Sequence, residues 1–257
     1  MSKSIILQSE KEHTLCEYKN GSADLLSCKS IYEKPNQDCL GVYAVDEQCK
    51  ALVVSDGMGG HQGGERASKI VCETILNALS KSLDRGEFLD AIEKADLEVK
   101  ALKIGAGATF TGVLIEEGQV QFFNCGDSVS YLFGSRGKIK YRTIEHSPLG
   151  YGIESGLIPH EQSEEAHLVE DNIVSNGVGF EPMRIEVSQK IPLADGDIIA
   201  LMSDGVSKHF RIEEIASFST AGSFEERVLN YKKKTEEDPE TYLYDDNSLI
   251  LFRYSAS

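Results

Sequence analysis

The chain has 257 residues, 42 acidic and 26 basic, giving a formal net charge of −16. Hydrophobic residues at 40% and charged residues at 26% suit one globular domain spanning 1–257, and exclude a disordered or fibrous chain. The acid excess argues against a nucleic-acid binder or an anionic-membrane binder, because both need clustered Lys and Arg, and only Lys232-Lys233-Lys234 forms a basic run.

From the N-terminus, MSKSIILQSEKEH has too short an apolar run for a leader peptide, and no stretch approaches the roughly 18 apolar residues of a spanning helix. The expected location is the cytoplasm. Cys16, Cys28, Cys39, Cys49, Cys72 and Cys125 show no CxxC spacing, so they read as reduced thiols and not as a zinc site or a disulfide framework.

Apolar runs rich in β-branched and aromatic residues predict strands over 23–32, 39–46 and 50–55. Two helices follow. Ala67, Ile70, Val71, Thr74, Ile75, Ala78 and Leu79 share one face of a helix over 64–82, and Phe88, Ala91, Ile92, Ala95, Val99 and Leu102 do so over 87–103. Further strands are expected over 108–116, 119–125, 129–134, 138–143, 185–193, 197–203 and 248–254. Between some of them stand glycine-bearing turns such as IEEGQV, which favour antiparallel hairpins. Residues 212–218 and 224–234 read as shorter helices, and Glu236-Glu237-Asp238-Pro239 reads as a solvated loop. Hairpin strands with helices in blocks make an α+β fold, and ten strands are better accommodated by two packed sheets than by one.

The sharpest local feature is Val53-Val54-Ser55-Asp56-Gly57-Met58-Gly59-Gly60-His61, an apolar strand running into an Asp and a glycine-rich turn before a helix. Asp at a strand end, followed by glycines that let backbone oxygens approach a ligand, is the donor set of a hard cation such as Mg²⁺ or Mn²⁺. Taken alone, Asp56-Gly57 reads equally well as a turn. The pattern recurs, however, at Ser203-Asp204-Gly205, at Gly126-Asp127-Ser128, at Asp245-Asp246-Asn247 and at Asn36-Gln37-Asp38, each at an end of a predicted strand. These are either separate turns or one cluster, and a cluster of like charges requires a neutralising cation.

In this order, together with Gly107-Ala108-Thr109, the motifs resemble those of the PPM-type, protein phosphatase 2C-like, metal-dependent phosphatases, in their bacterial form. The resemblance covers most of the chain. It implies a four-layer α-β-β-α sandwich, with two antiparallel sheets packed face to face and helices outside. It also implies a hydrolase for phosphoserine and phosphothreonine with two Mn²⁺ or Mg²⁺ ions, in which a metal-bridging water attacks phosphorus. By resemblance, Asp56 bridges the ions, the Gly57 carbonyl binds one, Asp204 and Asp246 complete the other, and Asp38 acts directly or through water.

Three departures from the pattern stand out. Glu33 occupies the position of a phosphate-binding Arg, leaving Lys34 as the nearest positive charge. Lys208 replaces the second Asp, four residues after Asp204, that resembles a partner of Asp127 in holding a third metal; Asp127 is thus a candidate third-metal ligand or, with Lys208 beside it as the substitute cation, binds none. Met58 replaces a His that serves as candidate general acid, which makes His61 the nearest proton donor, in a catalytic or a capping role.

His146-Ser147-Pro148 and the 149–156 segment resemble the start of a flap near the active site, or form a plain polar loop; His13, His160, His167 and His209 read as surface residues. The expected partner is a phosphorylated protein, opposing a Ser/Thr kinase, with the enzyme acting as a monomer and binding neither nucleic acid nor membrane. The alternative is a phosphatase-like module that binds phosphoprotein with little turnover. Retention of Asp38, Asp56, Asp204 and Asp246 favours the enzyme.

Overall fold

The computed structural model describes residues 2–32, 34–58, 63–159, 173–220 and 222–256. In chain order the first elements are β1 (Ser2–Leu7), β2 (Lys11–Tyr18), β3 (Gly21–Cys28), β4 (Asp38–Val45) and β5 (Gln48–Met58). Helices α1 (Gly64–Ala78) and α2 (Arg85–Lys100) follow, then β6 (Gly107–Ala108), β7 (Phe110–Glu116), β8 (Gln119–Cys125), β9 (Val129–Phe133) and β10 (Ile139–Arg142). After α3 (Pro148–Glu154) come β11 (Glu186–Val187), β12 (Ile191–Pro192) and β13 (Ile198–Met202). The chain closes with α4 (Asp204–Ser207), α5 (Ile212–Thr220), α6 (Phe224–Glu237), α7 (Pro239–Tyr242) and β14 (Asn247–Tyr254).

Among the described residues the strands form two antiparallel sheets. One runs β1-β4-β5-β7-β8-β11, with β6 on β5 and β12 on β8; the other runs β10-β9-β13-β14-β3-β2. Both faces of the central strands are buried, which is why they read as unbroken apolar runs. In β5, Ala51 and Val53 point to the cluster under α1 and α2, where Val71, Ile75, Phe88 and Ile92 also lie. Leu52 and Val54, on the opposite face, join Leu132, Ile199, Leu201, Ile250 and Phe252 between the sheets. A third cluster joins Met202 and Leu249 to Val206, Phe210, Ile215 and Tyr231 of the C-terminal helices. Three stacked cores make the four-layer α-β-β-α sandwich.

Local chemistry sets the element ends. The Glu117-Gly118 turn between β7 and β8 has φ of 48° and 70°, positive at both central residues, as a two-residue hairpin of this hand requires. Helix α2 begins at Arg85, two residues before the predicted start, because the Asp84 carboxylate accepts the Glu87 amide at 2.9 Å. The segment 185–193 is split into β11 and β12: Ser188 Oγ accepts the Phe122 amide at 2.9 Å, and the pairing with β8 shifts by one residue between the two pieces.

Other expectations need correction. Strands β1 and β2 lie outside the predicted elements, and in β1 Ile5, Ile6 and Leu7 pair with Val42, Gly41 and Leu40 at the sheet edge. The 149–156 segment is helical as far as Glu154, with Ser147 Oγ accepting the Gly150 amide at 2.9 Å and Leu149 and Ile153 buried. Glu236 and Glu237 end α6, and Asp238 caps α7 through the Thr241 amide. His13 and His209 are half-buried and not surface residues. Among the described residues, no helix is long and apolar enough to cross a membrane.

Candidate active site

The β4–β5 hairpin places the first two carboxylates. Its Asp46-Glu47 turn has φ of 49° and 63°, and beyond the Ala44–Cys49 pair the register shifts, so that Tyr43 meets Ala51 and Lys50 is the extra residue. That bulge sets Asp38 opposite Asp56; without it Asp38 would face Ser55.

Asp38 is 1% exposed. Its amide donates to Asn36 Oδ1 at 2.9 Å and its Oδ2 accepts from Ser203 Oγ at 2.6 Å, whereas Oδ1 is buried with no donor. Asp56 is gripped by Thr109 through both backbone groups: its amide donates to Oγ1 at 3.0 Å and its carbonyl accepts the Thr109 amide at 2.8 Å. At Gly57 a Cβ would fall 2.0 Å from the Gly64 carbonyl oxygen, so β5 and the start of α1 approach too closely for any side chain.

Asp204 opens α4 directly after β13, and its neighbour Gly205 lies so near the next segment that a Cβ would sit 2.1 Å from the Asp246 carbonyl oxygen. Asp127 follows β8 in a loop anchored by His146, whose Nδ1 accepts the Gly126 amide at 3.1 Å. Before β14, Asp246 Oδ1 accepts from the Ser30 amide at 2.8 Å and Oδ2 from the Gln37 amide at 2.9 Å.

An open cleft of about 790 Å³, its mouth included, collects Asp56, Asp127 and Asp204, whereas Asp38, buried opposite Asp56, is not among its lining residues. Asp56, Gly57, Asp127, Asp204, Asp245, Lys34 and Gln37 make its polar lining, and Met58, Val174 and Phe180 an apolar wall. Asp245, not singled out from the sequence as a ligand, faces the cleft, while Asp246 is buried behind it on backbone amides. Lys34 Nζ donates to Asp245 Oδ1 at 2.9 Å and lies 3.7 Å from Asp246 Oδ2. Lys208 Nζ donates to both Asp127 Oδ2 and Asp204 Oδ2 at 2.9 Å. Glu33, Gly59, Gly60, His61, His160 and His167 lie outside the described residues.

The electrostatics follow from this crowding. Burial and then repulsion by Asp246 push Asp38 well above the ordinary carboxylate range, Ser203 offsetting part of it. Burial and then Asp38, Asp204 and Asp245 do the same to Asp56. Burial and the Asp204 charge push Asp127 up to about 6 against the pull of Lys208. Burial also acts to raise Asp204, but Lys208 beside it holds that carboxyl below its usual value. Asp245 is raised by burial and Asp204 despite Lys34. Lys208 is held well above the ordinary lysine value: burial opposes this, and Asp204 and Asp127 outweigh it.

As arranged, no group of three or more His, Cys, Asp or Glu side chains among the described residues is set to hold one metal ion. Mg²⁺-type ions do not require that, since they keep several waters and take one or two carboxylates each. The donors fit such ions: they are all oxygens, and both Asp38 Oδ1 and Asp204 Oδ1 are buried without a hydrogen-bond donor. Oxygen-only donors lining an open cleft make this a candidate hard-cation site.

Comparison with known proteins sharpens this. The family described as "Protein phosphatase 2C" matches residues 31–240, and the chain belongs to that family. The chain is 25% identical over 227 residues to the serine/threonine phosphatase Stp of Listeria monocytogenes, covering 83% of this chain and 84% of the relative. In fold it is similar to the PPM Ser-Thr phosphatase MsPP from Mycobacterium smegmatis, solved with cacodylate, at a TM-score of 0.76 and 22% identity over 92% of this chain and 99% of the other. It is similar also to the catalytic domain of the phosphatase PstP, solved with two manganese ions, at 0.73 and 19% over 99% and 100%. At these identities the two structures support the fold alone.

Proposed function

We propose that this cleft hydrolyses phosphoserine and phosphothreonine monoesters of protein substrates with two Mn²⁺ or Mg²⁺ ions. Asp56 and the Gly57 carbonyl would hold them, together with Asp38, Asp204 and the Asp245–Asp246 pair. The observation that carries this reading is the meeting of Asp56, Asp127, Asp204 and Asp245, from four separate segments, in one cleft, with Asp204 Oδ1 and the Oδ1 of Asp38, the cross-strand partner of Asp56, buried without donors. When bound, the cations supply Lewis acidity, lowering the proton affinity of water and drawing charge from the phosphoryl oxygens.

The chain's own residues do the rest. Thr109 and Ser203 fix Asp56 and Asp38, so little reorganisation accompanies the reaction. Asp38 Oδ1, buried without a donor beside Asp56, would serve as a cation ligand, directly or through bound water. Lys34 offers an ammonium at the cleft edge for a phosphoryl oxygen, and Met58, Val174 and Phe180 cover the other side. No side-chain nucleophile is required, and among the described cysteines Cys49, Cys72 and Cys125 are buried with thiols pushed up by burial, which makes them poor nucleophiles. A net charge of −16 favours phosphosites with basic or neutral flanks. The working unit is one domain, a monomer in the cytoplasm, opposing a Ser/Thr kinase; six unpaired cysteines support that compartment.

The test is hydrolysis of p-nitrophenyl phosphate and a phosphothreonine peptide. Turnover is expected with Mn²⁺, not in EDTA, and is lost in Asp56→Asn and Asp204→Asn proteins that still fold. Robust turnover in EDTA overturns the metal role, and a folded, Mn²⁺-loaded protein with no turnover on phosphoprotein turns the reading to a binding module.

A further inference from the structure

We infer that Lys208 is a built-in cation of this centre, a positioning residue that occupies the place between Asp127 and Asp204 and thereby keeps a divalent ion off Asp127. The inference rests on the phosphatase reading and concerns how many ions the native site takes up.

The place of Lys208 is fixed by the backbone. It caps α4, its amide donating to the Asp204 carbonyl at 2.9 Å, and the four-residue spacing brings its side chain back over Asp204. The side chain is 11% exposed and its ammonium reaches one oxygen of each carboxylate at 2.9 Å. A divalent ion bound to those same two oxygens would need them at about 2.0–2.1 Å from its centre, where the ammonium already stands and repels a second cation.

The two oxygens of Asp204 are thereby divided. Oδ2 is committed to Lys208, whereas Oδ1 is buried without a donor, so the lysine pins one oxygen and leaves the other uncommitted. Asp127, 1% exposed, has its charge met by the tethered ammonium and needs no exchangeable ion. This part of the cleft therefore keeps its cation at any free metal concentration.

Mn²⁺ bound per chain, measured by equilibrium dialysis and elemental analysis near neutral pH, tests this. Asp127→Asn in the otherwise native chain is expected to leave the count unchanged. Lys208→Met is expected to bind one Mn²⁺ more than the native protein, and Lys208→Met/Asp127→Asn to lose that extra ion. An ion lost in Asp127→Asn alone, or an unchanged count in folded Lys208→Met, overturns the inference while leaving the phosphatase reading intact. If Lys208→Met does not fold, the Asp127→Asn count decides. A native chain that takes up no Mn²⁺ overturns both.

Discussion

Asp56→Asn should make the metal-free protein more stable, while abolishing turnover. Asp38 and Asp56 are direct cross-strand partners in the β4–β5 hairpin, which puts their Cβ atoms about 5 Å apart. Two carboxylates at that distance repel by about 3 kcal/mol at an effective dielectric constant of about 20. If one takes up a proton instead, the loss relative to the unfolded chain is about 1.4 kcal/mol per pH unit above the ordinary value. The folded-state value of Asp56 is raised above its usual 3.8, so the folded protein binds the extra proton; the group's contribution to stability is complete below 3.8 and is lost as pH rises through the shifted range.

At pH 7.5 in EDTA, removing the charge should recover about 2–3 kcal/mol, which for a domain of this size raises Tm by roughly 5–10 °C. Near pH 4 the difference should vanish. Saturating Mn²⁺ should reverse the order, because an ion at about 100 times its Kd stabilises the native protein by about 2.7 kcal/mol, and an amide in place of the Asp56 carboxylate makes a poorer site. Thermal melts followed by circular dichroism at the two pH values, with EDTA and with Mn²⁺, measure all three effects. An Asp56→Asn protein no more stable than the native one in EDTA at pH 7.5 would refute the reasoning.

Three further outcomes are expected. Ser203→Ala removes the 2.6 Å hydrogen bond that orients Asp38, and should raise the Mn²⁺ concentration for half-maximal turnover by about 10–100-fold, read from metal titrations of initial rate. Gly205→Ala forces a Cβ within 2.1 Å of the Asp246 carbonyl oxygen; the shift of α4 away from β14 should cost about 1–3 kcal/mol in chemical denaturation and lower metal affinity with it. His13, lowered to about 4 by burial and then by Lys232 and Lys11, favours the folded protein while neutral: its contribution is complete above pH 6.5 and is lost as pH falls toward 4. A His13→Gln variant should therefore lose less stability than the native protein between pH 6.5 and 4, in melts at constant ionic strength.

Much of this was legible in the sequence because central strands and amphipathic helices leave periodic signals. Leu52 and Val54 face one core and Ala51 and Val53 another, so β5 reads as a continuous apolar run, and the stripe from Ala67 to Leu79 reads as a helix. The edge strands β1 and β2 did not show: β2 is half-exposed, and its charged residues alternate with apolar ones too weakly to register. Asp residues at strand ends were visible one by one, but their convergence depends on register, and the Lys50 bulge that brings Asp38 opposite Asp56 has no sequence mark. Nor could composition tell which member of Asp245-Asp246 faces the cleft, since that is decided by the Ser30 and Gln37 amides that bind Asp246. Ser203, Thr109 and Asn36 lay inside recognisable motifs, and only their hydrogen bonds reveal that they position the carboxylates.

A crystal of the native chain grown with Mn²⁺, with anomalous differences recorded at the manganese edge, tests the central claim most directly. The account predicts two peaks in the cleft, both within coordination distance of Asp56, with Asp38, Asp204 and the Asp245–Asp246 pair around them and the Lys208 ammonium still between Asp127 and Asp204. A cleft without anomalous density at millimolar Mn²⁺, or ions bound away from Asp56, would contradict it.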